Sequence, residues 1–418
     1  MIAMDINLRH LRVFMQVCET GSLNRAAAEL HISQPSVSVA LAGIERRFGA
    51  KLLSRYAAGS QPTAAGEVLL MRLRRMENQI ASALAELFGV SSQRDPTLVA
   101  KCLARIGFRQ IEALIALSGS GSITEAARSG GGSPAALHRA LHDLQTNIGR
   151  AILMRSPAGV APNALGRRLA IRWQVALTEL EQAVDEIREN EGRMEGRIKI
   201  ASLPLARTLL LARTLLLARA VNPLMAAHPN ARVEVMDGSY EALSQQLRTG
   251  ASDILIGALR SGSDLEGLRA EPLFEDPYAV VGRSGHPLLN SDGKGASLDQ
   301  LAAQQWVAQR PGTPIRAAFD ALFAGCRDAP RASIETSSLV LMRAIILESD
   351  RLSMLSRRQI AIEERENLLG CVPVADEVRS RLRTRTIGIT VRENWLPSRL
   401  QKTFLECLRV AAAGLGQA

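Results

Sequence analysis

Residues 9–66 of this chain align with residues 109–166 without a gap, so that each position matches the one 100 residues later. Chance similarity does not hold one register over that length, and a repeat of this size predicts two copies of one domain. Glycine, alanine, serine and arginine recur at matching positions. The identical pairs include Arg9 and Arg109, Gly21-Ser22 and Gly121-Ser122, Ala26-Ala27 and Ala126-Ala127, Ser33 and Ser133, Gly49 and Gly149, Leu53 and Leu153, Arg55 and Arg155, and Gly66 and Gly166.

Each copy has the pattern of three short helices. In the first copy a helix is predicted from about Leu8 to Glu19, and Ser22 is placed to cap a second one. Ser33 is the predicted cap of a third helix, with Pro35 in its first turn, where the missing N–H does no harm. Helical spacing gives the third helix an apolar face that should pack inward. That face consists of Val37, Ala40, Leu41, Ile44 and Phe48.

After the third helix the pattern changes to a small hairpin, or wing. Turn residues stand at Ala58-Gly59 and Pro62-Thr63, and a long helix begins near Ala64. A short helix, a tight turn and an amphipathic helix with a small polar outer face form a helix-turn-helix, whose second helix enters the DNA major groove. From this pattern alone, a generic three-helix core with no partner is the alternative.

The charge balance favours a polyanion partner. The 418 residues include 51 Lys and Arg against 41 Asp and Glu, a net charge of +10 at pH 7. Such a balance suits nucleic acid or an anionic membrane surface. The first residues lack a secretory signal, and no run of about 18 uncharged apolar residues predicts a transmembrane helix. We therefore expect a cytoplasmic protein that does not engage a membrane.

Cysteine and histidine placement gives no metal-binding pattern. The five cysteines are widely spaced and are expected to be reduced, mostly buried thiols. His138 and His142 lie one helical turn apart, but no carboxylate or thiolate is placed near them in sequence. They are interpreted as surface histidines, and no metal site and no cofactor is predicted. The cysteines are Cys18, Cys102, Cys326, Cys371 and Cys407.

These motifs resemble the LysR-type transcriptional regulators. In the first copy they are Leu11-x-x-Phe14, Gly21-Ser22, Ala26-Ala27-x-x-Leu30, Ser33 to Ser38, Ile44-Glu45, Phe48-Gly49, Leu52-Leu53-x-Arg55 and Thr63-x-Ala65-Gly66. Further matches are Arg197–Ala201, Gly250–Gly257, Glu271–Phe274, Gly285–Pro287, Pro311–Pro314, Ile334–Ser338 and Arg385–Gly388. The resemblance covers residues 8–90 and 193–412. It leaves the second copy outside the usual plan of one winged helix per chain.

The resemblance implies how the third helix reads DNA. Gln34, Ser36 and Ser38 would face base edges, and a glutamine can bond an adenine edge with two hydrogen bonds. Pro35 would offer an apolar contact to a thymine methyl group. The first copy is therefore expected to carry sequence recognition.

Other residues would position the domain on the duplex. Ser22, Arg55 and Thr63 would contact phosphates, which fix orientation without specifying sequence. The complete predicted DNA-binding set is Ser22, Arg25, Ser33, Gln34, Pro35, Ser36, Ser38, Arg55 and Thr63.

The predicted fold class is multi-domain α and α/β: two winged helix-turn-helix domains with long linker helices, then a two-lobed α/β effector domain like the periplasmic binding proteins. The domains are a winged helix-turn-helix over 1–65, a linker helix over 66–90, a second, degenerate winged helix-turn-helix over 101–165, a linker helix over 166–192, and an effector-binding domain over 193–418. Its lobe I is expected at about 197–280 and 383–418, and lobe II at about 281–382.

The second copy keeps the scaffold but not the reading face. Pro134, Ala135 and Ala136 stand where the first copy has Gln, Pro and Ser, and His138 replaces a serine. Residues 101–175 nevertheless carry 10 basic and 3 acidic side chains, a net charge of +7 that suits phosphate contact. We predict that this copy binds DNA weakly, or packs on the first as a pseudo-dimer whose helices 66–88 and 166–190 pair. A purely structural role is the alternative.

The C-terminal half alternates short apolar strands with helices, which predicts an α/β fold with a parallel sheet. Ligands in open α/β sheets bind outside the carboxyl ends of the strands. Hydroxyl groups with one arginine suit a small carboxylate or sugar acid, while ordinary helix caps are the alternative for each serine. The predicted effector-binding residues are Ser202, Leu203, Pro204, Gly238, Arg310, Thr313, Thr336, Ser337 and Ser338.

One short duplication lies beside this region. Arg207–Ala212 is repeated at once as Arg213–Ala218, which adds about 1.7 helical turns. We predict that the helix tolerates the insertion by extending at its solvent end.

The predicted function is a ligand-responsive DNA-binding transcription regulator. A binding-protein-like sensor with decayed DNA binding, or an enzyme on that fold, are the alternatives. Against an enzyme, the chain has no H-E-x-x-H, no G-x-S-x-G and no G-K-[ST] motif. Expected partners are double-stranded DNA, a small-molecule effector and further copies of the chain in a dimer or tetramer, with RNA polymerase as a candidate.

Overall fold

The computed structural model describes residues 7–56, 59–89, 96–130, 132–157, 159–190, 196–203, 216–290 and 295–416. Contacts divide the chain into two units, Met1–Gly196 and Arg197–Ala418. Each unit is described by itself. The duplicated segment 207–218 lies outside the described residues up to position 215, and so does the predicted effector residue Pro204.

The first copy folds as the sequence pattern predicts. Ser22, Ser33 and Thr63 cap three of its helices, each accepting a hydrogen bond from a backbone N–H in the first turn. The predicted apolar face of the third helix is buried at all five positions. The elements are α1 (Leu8–Thr20), α2 (Leu23–Glu29), α3 (Gln34–Phe48), β1 (Leu53–Tyr56), β2 (Gly59–Pro62) and α4 (Ala64–Phe88).

The second copy repeats these elements 100 residues later. Its wing has the same register as the first, with Leu153 opposite Pro162 as Leu53 is opposite Pro62. An additional helix, α5 (Pro96–Arg105), precedes it, and the expected domain boundary at residue 101 falls inside this helix. The second copy consists of α6 (Phe108–Ser120), α7 (Ile123–Gly130), α8 (Pro134–Ile148), β3 (Leu153–Ser156), β4 (Gly159–Pro162) and α9 (Ala164–Asn190).

A glycine is required where each long helix passes its wing. A Cβ on Gly66 would lie 2.1 Å from the carbonyl oxygen of Leu52, and one on Gly166 would lie 2.2 Å from that of Ile152. No side chain fits at such distances, so the two glycines allow close approach of helix and strand in both copies.

The second unit is an α/β fold whose nine described strands follow the order β10-β9-β11-β8-β13-β7-β5-β6, with β12 paired to β8. The strands are β5 (Arg197–Ser202), β6 (Arg232–Asp237), β7 (Ile254–Ala258), β8 (Leu268–Arg283), β9 (Trp306–Ala308), β10 (Ala332–Glu335), β11 (Leu352–Ser356), β12 (Leu369–Cys371) and β13 (Thr384–Arg392). The helices are α10 (Leu216–Ala227), α11 (Tyr240–Arg248), α12 (Leu298–Ala302), α13 (Pro314–Leu322), α14 (Leu339–Leu347), α15 (Ala361–Arg365), α16 (Asp376–Arg381) and α17 (Arg399–Gly416).

The sheet is mixed rather than wholly parallel, which corrects the sequence-based expectation. β5, β6 and β7 are parallel, as are β9, β10 and β11, but β13 runs antiparallel to β7 and β8. The chain passes between the two halves of the sheet on β8 and returns on β13, so these two strands must point in opposite directions.

Two lobes follow from the packing on either side of these crossing strands. One apolar core includes Phe274 and the C-terminal helix α17, and the other begins at Tyr278 on the same strand β8. The polypeptide therefore changes lobe within a single strand. No helix among the described residues is long and apolar enough to cross a membrane.

Candidate DNA-binding surface and effector cleft

The start of α3 presents a small polar network to solvent. Ser33 Oγ accepts a hydrogen bond from the Ser36 backbone N–H at 3.3 Å, and the two serine hydroxyls lie 2.8 Å apart. The Gln34 amide donates to Ser38 Oγ at 3.1 Å. Ser33, Gln34, Pro35 and Ser36 are exposed and Ser38 is half-buried. The residues predicted to read bases thus lie together on one accessible turn.

The predicted phosphate contacts Ser22, Arg55 and Thr63, and the predicted DNA-binding residue Arg25, lie on other elements of the first copy. Ser22 caps α2, and Arg25 is exposed on the same helix. Thr63 accepts from the Gly66 N–H at 3.0 Å and donates to the Lys51 carbonyl at 2.6 Å. Arg55 lies on β1 in the wing, but its side chain is outside the described part of the structure.

Two exposed apolar side chains also belong to the first copy. Val39 on α3 is 70% exposed, and Tyr56 at the end of β1 is 62% exposed. Neither side chain is in the predicted DNA-binding set.

The second copy offers different chemistry on the corresponding turn. Ser133 still caps α8 through the Ala136 N–H at 3.2 Å. The residues that follow are exposed but apolar, and no amide or hydroxyl replaces those of the first copy. Positive or titratable side chains are exposed further along the helix, at His138, Arg139 and His142.

A cavity of about 1460 Å³ lies between the two copies. Its wall includes Arg9, Arg105, Arg109 and Arg139, all exposed. The guanidinium groups of these four form no hydrogen bond or ion pair with any residue that the structure describes. Positive charge is therefore concentrated where the copies meet, which suits a polyanion.

The long helices α4 and α9 pair through a buried ion-pair network. Arg72 on α4 is fully buried; its Nη1 donates to Glu179 Oε2 at 2.7 Å and to Gln182 Oε1 at 2.7 Å, and its Nη2 donates to Glu186 Oε1 at 2.8 Å. Burial disfavours the charged guanidinium, but the two carboxylates outweigh burial and raise the pKa of Arg72 above its ordinary value. The pseudo-dimer foreseen from the sequence is thus the arrangement within this unit.

The pairing has an approximate two-fold symmetry that follows the repeat. Arg72 contacts Glu186, and Arg172, the equivalent of Arg72, contacts Glu86 at 3.0 Å. At the centre Gln79 donates to Glu179, its own equivalent, at 3.1 Å. The two outer pairs differ in burial: the side chains of Arg172 and Glu86 are 45% and 58% exposed, whereas Arg72 and Glu186 are 0% and 15% exposed.

In lobe I the predicted effector residues lie at strand ends. Ser202 is the last residue of β5 and is buried. Leu203 packs in an apolar cluster with Tyr240 and Leu243, so its side chain belongs to the core of lobe I. Gly238 follows β6 and precedes Ser239, the cap of α11.

In lobe II the predicted residues follow β9 and β10. Thr313 caps α13 and donates to the Arg310 carbonyl at 3.1 Å, and Arg310 itself is exposed. Thr336 and Ser338 stabilise the start of α14, since Ser338 accepts from the Leu341 N–H. Ser337 is exposed between them. Thr313 and Ser338 act as helix caps, so each of these hydroxyl groups already has a backbone hydrogen-bond partner.

Arg260, which is not in the predicted effector-binding set, lies where the two lobes meet. It follows β7 in lobe I, and its Nη1 donates to the Gly312 carbonyl of lobe II at 3.2 Å. The guanidinium lies 4.6 Å from the ring centre of Tyr240. Its Nε is buried and has no acceptor among the described residues, as is true of Gln309 Nε2 in the facing loop. Two buried donors without acceptors are available where the lobes meet.

The crossing strands hold a second buried ion pair beside this region. Arg385 on β13 donates through Nε to Asp276 Oδ2 on β8 at 2.8 Å and lies over the ring of Tyr278. Burial is the main cause that raises the pKa of the Tyr278 hydroxyl above its ordinary value. This cluster fixes the point at which the chain changes lobe.

The cysteine thiols and the other side chains that can bind metal ions do not cluster in the described part of the chain. Among the described residues, no group of three or more His, Cys, Asp or Glu side chains is placed to hold a metal ion. All five cysteines are free; Cys102 is buried, while the other four are half-buried, which corrects the expectation of mostly buried thiols. Burial raises the pKa of Cys18 and of Cys371 to about 11.

Comparison with known families gives two matches. The family described as "LysR substrate binding domain" matches residues 191–413. The family described as "Bacterial regulatory helix-turn-helix protein, lysR family" matches residues 8–67 and again residues 108–179. The second description therefore covers both copies of the repeat.

Comparison with individual proteins gives relatives of two lengths. The HTH-type transcriptional regulator GalR of Pseudomonas putida is 30% identical over 404 residues, 96% of each chain, an alignment that includes the second copy. The regulator PcaQ of Agrobacterium fabrum is 25% identical and covers 74% of this chain and 96% of its own. The crystal structure of ArgP from Mycobacterium tuberculosis, at 17% identity and a TM-score of 0.55, covers 73% of this chain and 97% of its own.

Proposed function

Because this chain belongs to the LysR family of transcription regulators, it is a ligand-responsive DNA-binding regulator and not an enzyme, and we propose that its effector is a small carboxylate or sugar acid. It binds double-stranded DNA and a small-molecule effector and forms homo-oligomers, as regulators of this family do. We place it in the cytoplasm, with RNA polymerase as a further partner.

The proposed DNA-reading residues lie in the first five positions of α3. Gln34, Ser36 and Ser38 carry the amide and hydroxyl groups that bond base edges, and Pro35 supplies an apolar contact. The observation that supports this role is the exposure of Gln34, Pro35 and Ser36 behind the Ser33 cap, with the half-buried Ser38 hydrogen-bonded to Gln34. Phosphate contacts are assigned to the surrounding residues, Ser22, Arg25, Ser33, Arg55 and Thr63.

The proposed effector site is the cleft between the lobes of the second unit. The observation that carries an anionic effector is the buried Nε of Arg260, which has no acceptor among the described residues. A buried donor left unpaired costs about 1–3 kcal/mol, which a bound carboxylate would recover. Gln309 Nε2 offers a second such donor, and Arg310 adds a positive charge at the same edge. Hydroxyl groups would come from Ser202, Thr313, Thr336, Ser337 and Ser338, and apolar or backbone contacts from Leu203, Pro204 and Gly238.

A gel-shift experiment with DNA from upstream of the regulator's own gene tests DNA binding. We expect a shift at moderate salt that competitor DNA of unrelated sequence does not remove. A panel of small carboxylic acids and sugar acids, each paired with its neutral amide, then tests the effector class by thermal shift. Stabilisation by an acid and not by its amide supports the proposal. Stabilisation by amides alone would show that the cleft does not select an anion.

A further inference from the structure

We propose that a single chain forms a complete two-headed DNA-binding unit that recognises an asymmetric operator. In this unit α4 and α9 pair within the chain, α3 reads one half-site by base contacts, and the second copy holds the other half-site by charge and shape. The inference rests on the proposed DNA-binding function and adds to it the pairing partner and the form of the target.

The contacts between α4 and α9 favour pairing of α4 with α9 over pairing of either helix with a second copy of itself. Glu179 of α9 is buried and bonded by Arg72, Arg75 and Gln79 of α4. In a pair of two α9 helices, two Glu179 carboxylates would meet at the centre, and Val175 would stand where Arg75 now bonds. Like charges that approach in a buried site are destabilising.

A pair of two α4 helices is also incomplete. Gln79 would meet a second Gln79, so that Arg75 and Arg72 would both lose the carboxylate of Glu179. Arg72 would keep only the partner equivalent to Glu186, namely Glu86. The repeat thus has complementary rather than identical surfaces, and each long helix matches the one that the same chain supplies. A linked partner also has a high effective concentration, which adds to this preference.

Helix α5 ties the two copies together. Arg12 of α1 donates to the Leu103 carbonyl at 2.7 Å, and Asn147 of α8 donates to the Arg105 carbonyl at 3.1 Å. Arg150 of the second copy donates to the Phe88 carbonyl at the end of α4. These bonds hold the first and second winged helices in a defined relation, as two half-site contacts require.

The second copy keeps what phosphate binding needs. Ser122 caps α7 as Ser22 caps α2, and Asn163 caps α9 through the Gly166 N–H at 2.9 Å, as Thr63 caps α4. On α8, Arg139 replaces the exposed valine of the first copy and has no partner among the described residues. Glu125, which replaces Arg25, is neutralised by Arg128 at 2.7 Å. The surface is basic but lacks the amide and hydroxyls that discriminate bases.

Cross-linking of the full-length protein tests the pairing. Glu86→Cys and Arg172→Cys, at the exposed ion pair, are introduced together into the chain. The double variant is prepared in ¹⁵N-labelled and unlabelled form, and the two are mixed, unfolded and refolded together. The refolded protein is then treated with a short bismaleimide. The chain without the two substitutions shows which links come from the native cysteines. We expect peptides containing residues 86 and 172 to be linked light-to-light and heavy-to-heavy. Light-to-heavy links between them in the statistical proportion would overturn the intrachain pairing.

Binding to randomised DNA tests the asymmetry. We expect Gln34→Ala to lower discrimination about 5- to 150-fold at base positions of one half-site. Arg139→Ala should weaken binding to all sequences equally and lower the salt slope by about 1, without changing base preference. Equal base preference in two half-sites, or a changed preference with Arg139→Ala, would overturn the proposal. If the unsubstituted chain binds no DNA, the function proposed above fails, while the cross-linking result still stands.

Discussion

The guanidinium group of Arg72 and the carboxylate of Glu179 meet at 2.7 Å between the two linker helices, and both side chains are buried. The repeat places a second arginine, Arg172, at the equivalent position of the other helix, where it pairs with the exposed Glu86. One chain therefore contains the same kind of ion pair in a buried and in an exposed setting. Burial decides what each pair contributes, as follows.

Arg72→Ala should destabilise the N-terminal unit by about 3–5 kcal/mol, because it removes the cation that bonds the half-buried Glu186 and leaves the buried Glu179 with Arg75 alone. Arg172→Ala should cost no more than about 1 kcal/mol, because water screens an exposed pair. Urea unfolding followed by circular dichroism, with proteolysis at residues 1–196 to identify the unit that opens, measures both. Equal losses in the two variants would contradict the assigned burial.

Substitution of the two N-cap serines, Ser33 and Ser133, distinguishes an effect on helix stability from an effect on base recognition. Ser33→Ala and Ser133→Ala each remove a cap to the third residue of a helix, and each should cost about 1 kcal/mol. Only Ser33→Ala also releases the hydroxyl of Ser36, so only that variant should lose base discrimination in a competition gel shift. Matching losses of discrimination in both variants would mean that the second copy reads bases too.

Arg260→Gln tests the effector cleft. Loss of a charge-assisted bond to a carboxylate should weaken binding of the acid identified by thermal shift about 10- to 150-fold, measured by calorimetry. Arg232→Gln, at an exposed position of the edge strand β6, is the matched control and should bind as the unsubstituted chain does. Unchanged affinity in Arg260→Gln would place the effector elsewhere.

His286 should make lobe II sensitive to mild acid. Its Nδ1 accepts from the Leu288 N–H at 3.1 Å, so its Nε2 carries the proton and donates to the Asp350 carbonyl. Burial is the main cause that lowers the pKa of His286 from its ordinary value of 6.5; the hydrogen bond to Asp350 and the charge of its carboxylate oppose this, and the charge of Arg283 adds to the lowering. The neutral ring is therefore favoured by folding.

The sign of the effect follows from that lowered pKa. The stabilisation is fully present above pH 6.5 and is lost as pH falls through the lower pKa of the folded state, with a slope of at most about 1.4 kcal/mol per pH unit. His286→Gln keeps a donor and an acceptor without titrating, so its unfolding free energy should change less between pH 7.5 and 5. Denaturant unfolding at several pH values checks this, and parallel curves would rule out the role of His286.

Much of the N-terminal unit could be predicted from the sequence because its determinants are local. The caps Ser22, Ser33 and Thr63, the helical spacing of the apolar residues and the register of the repeat each act within a few residues. The second copy repeats the same pattern 100 residues later, which supports the same assignment of elements. For this reason the predicted elements and the inward face of α3 are confirmed.

The residues that were missed depend on distant contacts. Arg72 and Glu179 are separated by 107 positions, and their burial follows only from how two long helices pack. In the sequence Arg260 is an ordinary loop residue, because its hydrogen bond to the Gly312 carbonyl depends on how the second lobe packs against the first. The antiparallel placement of β13 likewise depends on the route by which the chain leaves and re-enters lobe I, which strand spacing does not reveal.

The placement of both winged helices on one polypeptide, with complementary long helices, also changes how such a regulator can evolve. In a homodimer, a substitution on the reading helix alters both halves of the target at once. Here Gln34 and Pro134 are encoded separately, and a change in one leaves the other untouched. The half-site read by α3 can therefore change with α3 alone, the half-site held by charge and shape is free to lose its sequence, and a single gene can follow targets that have lost their palindrome.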